Sequence, residues 1–146
     1  MRKAVQGFTL IELITVTILI GIISVTLFSR IGSVSSTNVN AGRDDLIAAL
    51  FFAQQTAMAR SNIQLIVTSN SVSVTENGTP IIVHSKGYPL SFASGVTAAA
   101  SPTSIPLTLT YDKLGKITSG TTTTITLSSS GGISASVTVE ASGYAH

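Results

Sequence analysis

The sequence predicts an α+β protein: one long amino-terminal helix, apolar in its front half and amphipathic behind, packed on an antiparallel β head. Three observations carry that expectation. Residues 8–28 form a nearly unbroken apolar block, residues 42–60 repeat their apolar positions at helical spacing, and the chain after Arg60 alternates with the period of a strand. At 146 residues there is room for one head domain. Charged residues make up 10% against 44% hydrophobic, and a mean hydropathy of +0.50 is too high for an ordinary soluble domain. The excess sits in the one block, because no second stretch is long enough to cross a bilayer. The absence of cysteine excludes disulfides and thiolate metal sites.

The first seven residues are a short basic leader. Eight cations stand against six anions, a net charge of +2, and two of those cations are Arg2 and Lys3. Without them the count is six against six, so the basic character belongs to a targeting leader and not to a nucleic-acid surface. The block that follows, FTLIELITVTILIGIISVTLF, is roughly 31 Å long as a helix and crosses a bilayer once. Positive charge ahead of it keeps the leader cytoplasmic and sends the carboxyl side across. A cleaved secretory signal would have a shorter apolar core and a small-residue cleavage site, and neither is present.

Glu12 is the residue a plain anchor leaves unexplained. A carboxylate in a membrane helix costs on the order of 3 kcal/mol, and the block contains no Lys, Arg or His to neutralise it. A cut between Gly7 and Phe8 would create an α-amino group one helical turn away, on the same face or on a neighbouring copy. An opposite charge at about 4 Å is worth roughly 4 kcal/mol at an effective dielectric near 20, enough to offset the insertion cost.

Gly7-Phe8-Thr9-Leu10-Ile11-Glu12, behind a basic leader and ahead of an apolar helix, resembles the type III signal sequence of type IV prepilins and type II secretion pseudopilins. The resemblance implies cleavage after Gly7 by a prepilin peptidase and N-methylation of Phe8 as the new terminus. It also implies a filament in which apolar helices bundle and Glu12 meets the amine of a neighbour.

Residues 29–40 turn polar, with Gly32 and several Ser and β-branched residues that weaken helix propensity. The helical pattern resumes from about Gly42 to Arg60, where Leu46, Ile47, Leu50, Phe51, Ala53, Ala57 and Met58 fall within one broad stripe. Gln54 interrupts that stripe. Asp44 and Asp45 would occupy the first turn and Arg60 the last, as the helix dipole favours. If the two segments join, one helix runs from Phe8 to Ser61. Phe52 projects away from the stripe, and a loop of the head is expected to cover it; the alternative is a contact with a neighbouring subunit.

Beyond Arg60, Ile63–Thr68 and Val72–Thr75 flank Ser69-Asn70-Ser71 as a hairpin. Asn77-Gly78 is a turn signal ahead of a strand at Ile81–His84. Tyr88–Pro106 reads as loop with a short strand around Leu90–Phe92. Leu107–Tyr111 alternates again, Asp112-Lys113-Leu114-Gly115 is a turn, and Thr123–Ser128 with Ser134–Glu140 form a last hairpin across Ser130-Gly131-Gly132. Four parts follow: leader 1–7, membrane or filament-core helix 8–28, polar connection and amphipathic helix 29–62, and β head 63–146.

The stretches Asp44–Asn62, Tyr111–Ile117 and Val137–Tyr144 are similar to the FimT/pseudopilin-H family of minor pilins, and the chain also resembles a minor pilin of the mannose-sensitive haemagglutinin type pilus. The function this implies is a minor pilin that helps initiate, cap or assemble a type IV pilus. The alternatives are an H-type pseudopilin serving type II secretion and a DNA-uptake pilin. The implied partners are other pilin or pseudopilin subunits, the peptidase and the inner membrane, with the head on the periplasmic side.

No enzyme activity, cofactor, metal or small-molecule substrate is expected. His84 and His146 are the only histidines, each read as structural or surface. Asp44 and Asp45 point about 100° apart on a helix and do not share a site easily. No Gly-x-Ser-x-Gly elbow, P-loop or dinucleotide fingerprint occurs. Asn77-Gly78-Thr79 fits a glycosylation sequon but is read as a turn. FimT-like pilins that take up DNA are associated with a Gly-Arg-x-Arg-like ending. This chain has Gly143-Tyr144-Ala145-His146 there, so neither arginine is matched and no nucleic-acid partner is expected.

Overall fold

Helix propensity falls after residue 28, yet the chain does not break there. In the computed structural model, which describes residues 9–83 and 86–146, one helix, α1, spans Leu10–Ala59. Gly7, Phe8 and His84 lie outside the described residues. Two units divide the chain, one up to Val34 and one from Ser35 to His146.

In the first unit Thr9 precedes the helix, and the apolar side chains from Leu10, 77% exposed, to Val25, 72% exposed, all lie open. Side chains in this part of α1 are described as far as Val25. Among the described residues no helix is long and apolar enough to cross a membrane. The block 8–28 read from the sequence extends past the described side chains at both ends.

In the second unit the buried face of α1 comprises Val39, Gly42, Leu46, Ala49, Leu50, Ala53 and Ala57. These positions recur at three and four residues, so they make one stripe. Three members of the expected stripe are not in it: Ile47 is only partly buried at its margin, and Phe51 and Met58 are 42% and 55% exposed. The real seam is narrower and centred on the alanines, which let the helix approach the sheet closely. Val39 and Gly42 carry it back into the polar stretch. A Cβ on Gly42 would touch Leu127 at 3.4 Å and Phe92 at 3.5 Å. Packing there outweighs the weak propensity of the Ser-rich sequence. Because α1 begins at Leu10, Asp44 and Asp45 are interior positions and do not sit at a helix start. The acid of the first turn is Glu12, and Arg60 lies just past the last turn.

Asn62, at φ 58°, turns the chain back into the sheet. Asn is one of the few side chains that tolerate this left-handed region. Its Nδ2 donates to Asn77 Oδ1 at 2.7 Å, and the Asn77 N–H donates to its carbonyl at 3.1 Å. That clasp sits beside the first pair of the hairpin formed by β1 (Ile63–Val67) and β2 (Ser71–Glu76), which is in the expected place. β1 also pairs antiparallel with β8 (Leu107–Thr110). The other edge of β2 is shared by β3 (Thr79–Pro80) and β6 (Leu90–Ser91).

Asn77 and Gly78 both have positive φ, 52° and 80°, which is the hairpin geometry their pairing signals. The strand after them is Thr79–Pro80, however, and not Ile81–His84. Pro80 holds an edge position, where its missing N–H costs no ladder bond. Ile82–Val83 (β4) instead pairs with Lys86–Gly87 (β5).

A second sheet has the order β10-β9-β7, from Ser134–Val139, Thr123–Ser129 and Val96–Ser101. β9 and β10 are the expected last hairpin. β7 lies in the stretch read as loop, because V-T-A-A-A-S has little intrinsic strand preference. Its six residues are held by pairing with β9 in full register. Inward residues of both sheets and the α1 stripe make one core, including Leu65, Val74, Leu109, Ile125, Leu127 and Val137.

Candidate assembly site

The amino-terminal end of α1 is built by a Thr-x-x-Glu sequence. The Glu12 N–H donates to Thr9 Oγ1 at 3.4 Å, and the Thr9 hydroxyl donates to Glu12 Oε2 at 3.4 Å. Thr9 is therefore the cap and Glu12 the third helical residue, which makes the cap half of a capping box, with the carboxylate held to the cap hydroxyl. The sequence reading missed this second role for Glu12, although Thr-x-x-Glu ahead of an apolar run is its signature. The carboxylate is exposed and sits at the positive end of the helix dipole.

Among the described side chains of the apolar segment, the hydroxyls of Thr15, Thr17 and Ser24 satisfy themselves. Thr15 donates to the Glu12 carbonyl and Thr17 to that of Ile14, each at 2.9 Å, and Ser24 donates to that of Ile20 at 2.7 Å. None of these groups needs water, so the segment is suited to an apolar surrounding.

In the head, three segments that carry the family resemblance meet at one side chain. Gln54 Nε2 donates to the Gly115 carbonyl at 3.2 Å and to the Ser142 carbonyl at 3.4 Å. Gly115 belongs to the Asp112 turn, where Asp112 Oδ1 accepts from the N–H groups of Leu114 and Lys116 at 2.9 and 2.8 Å. Gly143 closes the other turn by donating to the Glu140 carbonyl at 2.9 Å. Both glycines have positive φ, 76° and 85°. A Cβ on Gly143 would collide with the Gly115 carbonyl oxygen and lie 2.8 Å from Gln54 Nε2. The residue that interrupts the apolar stripe is thus a latch between α1 and two turns.

Phe52 stacks on Tyr88 with ring centroids 5.8 Å apart, so a loop of the head covers it as expected. Burial, and secondarily the charge of Asp45, raises the Tyr88 hydroxyl above the ordinary tyrosine value. Burial alone pushes Tyr111 up further, and its hydroxyl has no hydrogen-bond partner among the described residues. Arg60 pairs with Glu76 at 2.9 Å, while Asp44 is 78% exposed and only 3.9 Å from Arg43. His146 stacks on Tyr144 at 5.5 Å, with its backbone paired to Thr138. Among the described residues no cluster of His, Asp or Glu could hold a metal.

A long helix whose second half packs on an antiparallel head, with its first half apolar and open, defines the pilin class of fold. Two solved structures that share it are crystal forms of one protein, the type IV minor pilin FimU of Pseudomonas aeruginosa strain PAO1. The form in space group P21 aligns with a TM-score of 0.58 at 15% identity, covering 75% of this chain and 87% of that one. The form in P65 gives 0.54 at 14%, covering 73% and 90%. No protein-family profile and no curated protein sequence matches the chain. The fold is that of a type IV minor pilin.

Proposed function

We propose that this chain is a minor pilin of the FimT/pseudopilin-H kind, a subunit that helps initiate, cap or assemble a type IV pilus and is not itself an enzyme. The observation that carries the reading is the capped apolar helix, open on all sides from Leu10 to Val25, joined in sequence to a head of minor-pilin fold. Exposed apolar surface of that extent marks a membrane or subunit contact. Residues 1–7 are the leader removed by the peptidase, and Phe8 becomes the methylated terminus. Residues 8–28 hold the subunit in the inner membrane, with the head periplasmic, until helices bundle in the filament. Glu12 then pairs with the amine of a neighbouring Phe8. The likeness to a minor pilin favours a pilus over type II secretion.

Mass spectrometry of the mature protein tests the processing: Phe8 should be first and methylated, and an intact Met1 in assembled filaments would sink the reading. Deleting the gene and scoring surface pili beside secreted enzymes in one strain tests the system. Lost pili with normal secretion is the expected result, and the reverse would make it an H-type pseudopilin.

A further inference from the structure

Asn77 and Gly78 form the two-residue loop between β2 and β3, and both are exposed. Among the described residues the Gly78 N–H has no hydrogen-bond acceptor, and a Cβ placed on Gly78 would meet nothing within 4 Å. A glycine nitrogen has no side chain beside it, so it is the least hindered nucleophile a backbone offers. It stands next to a carboxamide whose Cγ it can reach by closing a five-membered ring.

The Asn77 amide is held away from that ring. Asn62 lies across from it, one position beyond the Ile63–Glu76 pair, and its Nδ2 donates to Asn77 Oδ1 at 2.7 Å. The strands run in the order β3-β2-β1, so this clasp draws the carboxamide toward β1 while the Gly78 nitrogen leads toward β3. Asn70 makes the contrast: the nitrogen that follows it belongs to Ser71, carries a side chain, and donates to Thr68 Oγ1 at 3.1 Å.

We propose that Asn77 is a self-modification site, deamidated through a ring closed by the Gly78 nitrogen, and that its clasp to Asn62 sets the rate. Base removes the Gly78 N–H proton and the nitrogen attacks Asn77 Cγ. The new N–Cγ bond replaces the Cγ–Nδ2 bond, and Nδ2 takes up a proton and leaves as ammonia. Water then opens the succinimide at either carbonyl, giving aspartate at position 77 or isoaspartate, in which the main chain runs through the former side chain. No oxidant or reductant is consumed.

Both products place a new carboxylate beside Glu76, whose own charge is met by Arg60 at 2.9 Å. Isoaspartate also lengthens the loop by one main-chain atom. The pairs Glu76–Thr79 and Thr75–Pro80 are all that tie β3 to β2, so a longer loop loosens that edge. The turn thus carries a chemical mark of the age of the subunit.

The test incubates the full chain in isolated membranes at mildly alkaline pH, at a temperature where melting curves show the head folded. Cleavage after Arg60 and Lys86 releases residues 61–86, which hold Asn62, Asn70 and Asn77, for sequencing by mass spectrometry. The expected product is acid at position 77 in both forms, isoaspartate in excess, with Asn70 unchanged. Asn62→Gly suits the positive φ but removes the donor, and should speed conversion about two- to tenfold, the worth of one hydrogen bond. Gly78→Ala keeps the clasp and should slow conversion by crowding the nitrogen. Aspartate without isoaspartate, or an unchanged rate in Gly78→Ala, would mean direct hydrolysis and overturns the ring closure. An intact Asn77 when a synthetic peptide of residues 73–81 has fully converted overturns the site. An Asn62→Gly rate equal to wild type overturns the control by the clasp.

Discussion

Replacing Gly143 with alanine should be among the most damaging single-methyl changes in the head. The residue sits at φ 85°, where a side chain costs about 1–2 kcal/mol. Its Cβ would run into the Gly115 carbonyl oxygen and crowd Gln54 Nε2 at 2.8 Å, so both latch hydrogen bonds must yield. Each such bond contributes about 0.5–1.5 kcal/mol, which brings the total to roughly 2–5 kcal/mol. For a domain of roughly 110 residues this lowers the melting temperature by about 8–20 °C. The assay is urea and thermal unfolding of the unit Ser35–His146, followed by tyrosine fluorescence because the chain has no tryptophan. Gly78→Ala is the control: its φ is 80°, but a Cβ there meets nothing within 4 Å. It should cost only the backbone term. Equal losses at the two sites would refute the claim that the Gln54 contact is what Gly143 secures.

Tyr111→Phe removes a buried hydroxyl that lacks a partner among the described residues and should stabilise the head by about 1 kcal/mol in urea titrations. Burial raises Tyr111 and Tyr88 above the ordinary tyrosine value of 10.0, so the unfolded chain releases these protons first and stability is lost as pH climbs past 10. The substitution should flatten that alkaline decline without abolishing it, since Tyr88 remains. Glu12→Val in the full chain should insert into membranes as well as wild type or better, yet enter filaments poorly in sheared-pilus fractions; normal entry would show that the carboxylate pairing is not needed. The head should not shift DNA in gels at physiological salt, because six cations face five anions beyond Phe28 and few phosphates could be neutralised. A micromolar complex with a salt slope of several units, lost on changing Lys113 and Lys116, would revive DNA uptake.

Much of the head is legible because β1, β9 and β10 place Ile, Leu or Val at every second, inward position, as with Ile63, Leu65 and Val67, Ile125 and Leu127, and Val137 and Val139. The Asn77-Gly78 turn was legible for a local reason as well: its positive φ pair demands those residues. β7 was not, since its alanines and serines say little by themselves and its pairing with β9 is decided across some thirty positions. The same limit hid Gln54. A glutamine inside an apolar stripe looks like a flaw until the carbonyls of Gly115 and Ser142 are placed beside it. Periodicity places Phe51 and Met58 inward because it gives a direction with an uncertainty of one or two positions. At the amino terminus, the cost of a carboxylate in an apolar block marks Glu12, while its partnership with Thr9 is legible in the local Thr-x-x-Glu pattern.

The latch also sets an order of events during synthesis. Gln54 reaches carbonyls 61 and 88 positions further along the chain. Val137, Val139 and Ala145, which complete the core, come equally late. At about 5–20 residues per second, the buried face of the helix stays uncovered for roughly 5–20 s after it is made. Leu46, Leu50 and their alanine neighbours are then available to any other apolar surface, including the same segment of a chain made alongside. The nascent protein is therefore most prone to aggregate just before its last turn closes, and a chain stalled or cut short there should be degraded or held by a chaperone.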